Sequence, residues 1–494
     1  FYLPSDWCII IGLGWLGVFL PLFSGILTVQ NRLGLNRYFT AAVRRQISSD
    51  LRSGYKNHGK VSALLEKFVI RGGKPLHGEI EISGAKNAAV AILPATLLAK
   101  DVFTIENVPD IRDINSMLQI LEEMGAAVRY TGKSTVQIDT RRITSREVPD
   151  ELTRNLRASY YLIGALLGMY NRAVVAMPGG CNFGGVRPID LHIKGFSALG
   201  AVISTDGGMI EARADKLIGA SIYFDKVSVG ATINVMLAAV KARGITIIEN
   251  AAREPHIVDL ANFLSLMGAN IKGAGTDVIK IEGVGELHGC DYSIIPDQIE
   301  AGTYMVAAAA TRGDLLIKNV IPKHLDPISA KLRECGAAVE EFDDSIRVSA
   351  SGRLHACNIK TLTHPGFPTD MQPQFTVLLS LCEGISIVSD SVWDNRFKYV
   401  DQLTRMGAQI QIEGKAAIVQ GSAELKGAPV KADDLRAGAA MIIAGLCAKG
   451  TTEIEDIIHI DRGYEDVVRK LTAVGAQIAR VDVPQTPMKI TKRA

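Results

Sequence analysis

One phrase recurs six times along this chain and limits what the chain can become. A leucine or phenylalanine is followed, three residues on, by an apolar residue or cysteine, then by Gly-Ala and a strand-like run. The copies are Leu121–Val128, Phe196–Ile203, Leu264–Ile271, Leu332–Val339, Leu403–Ile410 and Leu471–Ile478. Their Gly-Ala pairs begin at 125, 200, 268, 336, 407 and 475, between 68 and 75 residues apart. Self-similarity at a regular period describes an architecture and outranks local propensity. Each unit is longer than a solenoid repeat, which points to a closed arrangement.

Each copy reads as an amphipathic helix that stops at Gly, where the left-handed C-cap forms, and returns as a strand. A second phrase precedes it: a helix of small residues, then a β-branched strand. Examples are Val229–Arg243 before Ile245–Ile248, Ala301–Arg312 before Leu315–Ile317, and Leu435–Lys449 before Thr451–Ile454. The unit is therefore helix, strand, helix, strand, with short strands between. Such alternation predicts sheets covered by helices, an α/β or α+β architecture. Helices apolar nearly all round belong among neighbours, not on a surface. Six units exceed one core, so two domains of three units each are expected.

The chain has 494 residues, 47% of them hydrophobic, with a formal net charge of +2. No basic run interleaved with aromatics occurs, which argues against nucleic acid as a partner. The seven cysteines (8, 181, 290, 335, 357, 382 and 447) are odd in number and form no Cys-x-x-Cys. They suggest neither a disulfide framework nor zinc and fit a reducing cytoplasm. The histidines form no metal-ligand cluster either. Residues 1–64 differ from the rest. Trp7–Val29 carries no charge, is long enough to span a bilayer, and is followed by seven basic residues from Arg32 to Lys60. Membrane contact is expected only if this segment is a real anchor. The fingerprint-like run Gly12–Gly17 lacks a following acidic ribose ligand and is set aside. The chain begins at Phe1 and the globular pattern begins cleanly near Leu65. Residues 1–64 are therefore expected to be translated upstream sequence outside the native protein, with an anchor as the other reading.

The small-residue helices open on charge. Lys86 begins one, Arg157 another and Arg436 a third, while Asp225-Lys226-Val227-Ser228, Pro296-Asp297-Gln298 and Pro368-Thr369-Asp370-Met371 open the others. Acids there are ordinary caps, and Asp297 and Asp433 are read that way. A cation at a helix N-terminus instead opposes the macrodipole, unless an anion sits between them. Several such ends, with Arg187 and Arg462 added, would make a pocket for a multiply anionic ligand. The glycine-rich run Met177–Pro188 adds a mobile loop with Cys181 and Arg187 six residues apart. A thiol beside a guanidinium has a lowered pKa and can act as acid, base or nucleophile. A surface turn with an incidental thiol is the plainer reading of that loop.

Seven motifs at these residues resemble one family. They are Ser83-Gly84-Ala85-Lys86-Asn87-Ala88-Ala89, Leu156-Arg157-Ala158-Ser159, Pro178-Gly179-Gly180-Cys181, Arg187-Pro188-Ile189-Asp190, Phe367-Pro368-Thr369-Asp370-Met371-Gln372, Asp434-Leu435-Arg436-Ala437 and His459-Ile460-Asp461-Arg462-Gly463-Tyr464. In order and spacing, over about residues 66–482, they resemble the UDP-N-acetylglucosamine 1-carboxyvinyltransferases, within the EPSP synthase-like superfamily. The loop departs from that pattern: it runs one residue longer between Cys181 and Arg187.

The resemblance implies a two-domain inside-out α/β barrel, with the active site in the cleft between domains. Residues 65–86 and 295–484 would form domain 1 and residues 87–294 domain 2, carrying the catalytic loop 178–188, with 485–494 as a tail. The implied reaction moves the enolpyruvyl group of phosphoenolpyruvate to the 3′-hydroxyl of UDP-N-acetylglucosamine and releases phosphate, the entry step of peptidoglycan synthesis in the cytoplasm. Cys181 would donate the proton, and Asp370 would be the base or the carboxylate that orients the hydroxyl. Lys86, Asn87, Arg187, Arg436 and Arg462 would hold phosphoenolpyruvate, with Lys86 and Arg462 also catalytic. The nucleotide sugar would meet Arg157, Arg187, Pro188, Ile189, Asp190, Leu191, Lys226, Val227, Ser228, Val229, Asp370 and the Val392 amide. The resemblance implies no metal and no organic cofactor. Other readings are a weakly catalytic paralogue that senses the nucleotide sugar, or the shikimate-pathway enolpyruvyl transferase.

Overall fold

A computed structural model describes residues 65–148, 150–153, 156–177, 189–421 and 424–483. All of them belong to one compact unit, Leu65–Ala494. The leader, the loop with Cys181, Arg187 and Pro188, and the C-terminal tail lie outside the described residues, as do the expectations placed on them.

Among the described residues the strands form six sheets, five of four strands and one of three. Three of the six are built on Leu65–Arg71, Asp314–Lys318 and Ile385–Asp390. The other three are built on Val102–Glu106, Met209–Arg213 and Ile245–Glu249. Strands such as Val278–Glu282 alternate exposed and buried residues, so one sheet face is wet and the other covered. What covers it is the set of small-residue helices, which lie inside while the sheets lie outside. In Gln298–Ala310 every residue from Ile299 to Ala309 is buried. That helix packs against Gln372–Leu381 and Leu435–Cys447, which also pack on each other. In the other half, Tyr161–Tyr170 packs on Val229–Ala239 so closely that a Cβ at Gly164 would lie 2.4 Å from the Asn234 carbonyl oxygen. Only glycine lets the two backbones approach like this.

Two separate hydrophobic cores result. One is built from residues 68–82 and 299–478, the flanking lobe; the other from residues 85–294, the inserted lobe. The chain passes between them twice, and the two crossings are tied together. His77–Glu81 pairs in parallel with Asp314–Lys318, yet the chain then enters helix Lys86–Ala95 of the inserted lobe. Asp291–Ser293 pairs in parallel with Val102–Glu106, and the chain then enters helix Gln298–Ala310 of the flanking lobe. At the junction the Asp297 amide donates to the Ser83 carbonyl at 2.9 Å and the Ala85 amide to Ile295 at 2.7 Å. The buried Lys470 ammonium reaches both Glu300 and Ser83 Oγ at 2.7 Å.

The Gly-Ala phrase behaves as its chemistry requires. All six glycines have positive φ, from 91° at Gly200 to 109° at Gly125, and each ends a helix before a strand. Asp297 caps its helix by accepting from the amides of Ile299 and Glu300. The other expected cap shifts by one residue. Asp434, not Asp433, accepts from Arg436 and Ala437, its extended backbone aiming its carboxylate at the first turn. Cys335 and Cys357, far apart in sequence, meet with sulfurs 3.3 Å apart as free thiols. No described helix is long and apolar enough to cross a membrane.

Candidate active site

Three helix starts face the junction of the lobes. Lys86 is the first residue of its helix, and its backbone amide donates to Asp297 Oδ2 at 3.0 Å. Asp297 thereby serves two helix N-termini from different lobes at once. The Lys86 ammonium lies 2.7 Å from Asp113 Oδ2. Asp113 comes from the first turn of Arg112–Glu123 in the inserted lobe. From the flanking lobe, Arg462 Nε reaches Asp113 Oδ1 at 2.9 Å and its Nη2 reaches Oδ2 at 3.2 Å. One buried carboxylate therefore holds two cations, one from each lobe.

Burial pushes the Lys86 ammonium below its ordinary pKa. Asp113 opposes that shift, while the nearby Arg436 and Arg462 add to it. Tyr464, two residues after Arg462, lies against Arg436, and Gly463 between them lies against Lys86, which brings the three cations into one cluster. Burial works against the charge on Asp113 too, but Lys86 and Arg462 hold its pKa below the usual value. Gly463 makes room for the cluster. A Cβ there would lie 2.7 Å from Leu435 Cδ2 and 3.3 Å from Lys86 Cδ.

Asp370 forms the second centre, in the short turn Thr369–Met371 that opens helix Gln372–Leu381. Its Oδ1 takes Arg396 Nη2 at 2.7 Å and its Oδ2 takes Arg436 Nε at 3.1 Å. Burial alone would raise its pKa, yet Arg436 and Arg396 hold it far below the carboxylate range. Arg396 also donates to Thr369, whose hydroxyl donates to Asp390 at 2.6 Å.

Other expected residues stand at helix starts and turns. Asn87 follows Lys86 on the first turn and is half-buried. Ser228 caps helix Val229–Ala239 by accepting from Ala231. Ile189, Leu191, Val227 and Val229 pack against the inserted core, so their backbones are what they offer outward. Asp190 opens helix Asp190–Ala198 and is exposed, as is Lys226. The Val392 amide is turned inward, donating to Asp390 Oδ1 at 2.9 Å. Arg157 begins the turn Arg157–Tyr160 that leads into Tyr161–Tyr170. The motif reading missed Asp113, Arg396 and the double role of Asp297. An acid in a first turn reads as a cap, and nothing local marks the cation it serves. The reading also required an outside anion for Lys86 and Arg436. In the structure Asp113 and Asp370 already supply that charge.

A family model described as EPSP synthase (3-phosphoshikimate 1-carboxyvinyltransferase) matches residues 70–471. Among curated relatives, UDP-N-acetylglucosamine 1-carboxyvinyltransferase 3 of Caldanaerobacter subterraneus subsp. tengcongensis is 60% identical over 417 residues, covering 84% of this chain and 100% of the relative. The chain belongs to the UDP-N-acetylglucosamine 1-carboxyvinyltransferase family. The family relative from Clostridium botulinum is 57% identical over 418 residues, again covering 84% of this chain and 100% of its own. Among solved structures, the enolpyruvyl transferase NikO from Streptomyces tendae superposes with a TM-score of 0.77 at 26% identity, covering 85% of this chain and 100% of that one. EPSP synthase from Acinetobacter baumannii shares the fold, with a TM-score of 0.67 at 18% identity over the same share of each chain. The superfamily match therefore runs from the first described strand to the last described helix, through both lobes, and stops at the first residue of the sixth Gly-Ala phrase. It makes the inside-out α/β fold that of the enolpyruvyl transferases.

Proposed function

We propose that this chain transfers the enolpyruvyl group of phosphoenolpyruvate to the 3′-hydroxyl of UDP-N-acetylglucosamine, with release of phosphate. The observation that carries the reading is the convergence of Lys86, Arg436 and Arg462 from two lobes onto one cleft. Phosphoenolpyruvate brings a phosphate and a carboxylate, and such a cluster neutralises both. The closely related proteins named above are called transferases of this class, which supports the same acceptor here.

In this reading the sugar oxygen bonds to C2 of phosphoenolpyruvate, its hydroxyl proton passes to a phosphate oxygen of the donor, and the Cys181 thiol gives its proton to C3. The Cys181 thiolate then takes a C3 proton back as the protonated phosphate leaves C2, which restores both the vinyl group and the thiol. Lys86, Arg187, Arg436 and Arg462 balance charge in the transition state, an electrostatic contribution made by groups already in place. Asn87 lies beside Lys86 on the donor. Asp370, held by two guanidinium groups, binds a proton too weakly to remove one efficiently. It therefore serves as the carboxylate that orients the hydroxyl. Arg157, Pro188, the backbone of residues 189–191, Lys226–Val229 and Val392 flank the nucleotide sugar. For Val392 this requires its amide to leave Asp390. The domains are 65–86 with 295–484, and 87–294, and the enzyme works in the cytoplasm.

The test is phosphate release by the full chain given phosphoenolpyruvate with UDP-N-acetylglucosamine, with shikimate 3-phosphate, or alone. Release that needs the nucleotide sugar supports the proposal. Binding without turnover, or turnover with shikimate 3-phosphate, overturns it.

A further inference from the structure

Arg436 is held from behind by a chain of buried polar side chains. We propose that Gln374, Thr303 and Tyr464 form a positioning network for Arg436, and through it for Asp370, at the phosphoenolpyruvate end of the site. The proposal rests on the functional reading above and goes beyond it.

The hydrogen bonds set the direction of the chain. Thr303 Oγ1 donates to the Ile299 carbonyl of its own helix at 2.7 Å, which uses its single hydrogen. Its remaining capacity is to accept. Two neighbours face it: Tyr464 OH at 2.9 Å and Gln374 Nε2 at 3.2 Å. The Tyr464 hydroxyl must therefore donate to Thr303. Its oxygen is left to accept, and Arg436 Nη1 reaches it at 3.4 Å with Gln374 Nε2 at 3.5 Å. This polarity presents lone pairs to the guanidinium, the sense that stabilises a cation. The Tyr464 ring adds to it, with Arg436 Cζ 5.7 Å from its centroid. Burial raises the Tyr464 pKa, so the hydroxyl stays protonated and able to donate.

The opposite edge of Arg436 lies on Asp370, so the guanidinium is fixed from both sides. The network draws on all three units of the flanking lobe. Thr303 comes from helix Gln298–Ala310, Gln374 from Gln372–Leu381, and Arg436 from Leu435–Cys447. Thr303, Gln374, Arg436 and Tyr464 are all buried, Gln374 completely. Apolar residues of similar size would fill that space without needing partners. A polar chain that ends on a site cation has a positioning use that apolar packing lacks.

Tyr464→Phe, Thr303→Val and the double variant test this in the full chain. Each single change is expected to raise the KM for phosphoenolpyruvate about 3- to 10-fold, the scale of one ordinary net hydrogen bond. The KM for UDP-N-acetylglucosamine should stay within about twofold. Because the residues act in series, the double variant should be no worse than Tyr464→Phe, and Thr303→Ser should restore the wild-type value. A phosphoenolpyruvate KM unmoved in Tyr464→Phe overturns the proposal, as does a parallel rise in both KM values with lowered Tm. A second readout needs no turnover: the nitrogen-15 spectrum of the Arg436 Nε–H, assigned with Arg436→Lys. The network predicts a sharp, slowly exchanging line that broadens or shifts in Tyr464→Phe, and an unchanged line overturns it even if the transferase reading fails.

Discussion

Replacing Asp113 by Asn removes the charge that holds the cleft's cations and keeps the shape. Asp113, Lys86 and Arg462 are 7%, 12% and 16% exposed at the side chain, so solvent screens the pairs weakly. Breaking a buried pair by neutralising one partner costs about 3–5 kcal/mol, because the other charge is left uncompensated. Asparagine still offers one acceptor oxygen, so about 3 kcal/mol is expected for Asp113→Asn. The assay is urea unfolding with and without phosphoenolpyruvate. A bound anion replaces the missing charge, so the variant binds phosphoenolpyruvate tighter than the wild type; at one fixed concentration, about a hundred times the variant's Kd, ligand returns about 2.7 kcal/mol to the variant and less to the wild type. The variant should therefore recover most of its loss, and gain more from ligand than the wild type does. The pH dependence has a definite sign. Lys86 already sits below its ordinary pKa, and without Asp113 it falls further. Anion binding that needs its ammonium form is present below that pKa and lost as pH rises through it. The alkaline limb of kcat/KM for phosphoenolpyruvate should move to lower pH in Asp113→Asn. An equal stability loss with and without ligand, or an unmoved limb, would refute the reasoning.

Three further outcomes are expected. Gly463→Ala puts a methyl 2.7 Å from Leu435 and 3.3 Å from Lys86, so kcat/KM should fall roughly tenfold or more while Tm falls by only a few degrees, checked by kinetics beside calorimetry. Burial lifts the Asp259 carboxyl to about 6 despite its bond from Tyr292. Its ionisation thus opposes folding, with stability lost as pH rises from the unfolded value through the folded one. Asp259→Asn should stabilise by roughly 2–3 kcal/mol at neutral pH and by nothing near pH 3, seen in paired unfolding curves. Cys181→Ala should abolish labelling by fosfomycin, an epoxide mimic of phosphoenolpyruvate. Intact mass after incubation reads this directly, and retained labelling would show that another thiol reacts.

What could be read along the chain was local chemistry. A glycine that ends a helix in the left-handed region depends on a few neighbours, and all six were legible. So were the small-residue helices, whose composition allows no exposed face. Pairing between distant charges was not legible. Arg462 and Asp113 lie 349 positions apart, and no period or spacing links them. The adjacent aspartates at 433 and 434 show the limit of resolution, since either could cap and only the folded chain shows that Asp434 does. Asp370 was legible as an acid at a helix start. Its two-guanidinium clamp was not, because Arg396 sits in a segment whose pattern carries no signal.

The most direct test is a crystal of the full chain soaked with phosphoenolpyruvate and UDP-N-acetylglucosamine. The account expects the donor's phosphate and carboxylate oxygens within hydrogen-bond reach of Lys86, Arg436 and Arg462, with Cys181 Sγ over its methylene carbon. A donor bound elsewhere, with those cations still paired only to Asp113 and Asp370, would contradict it.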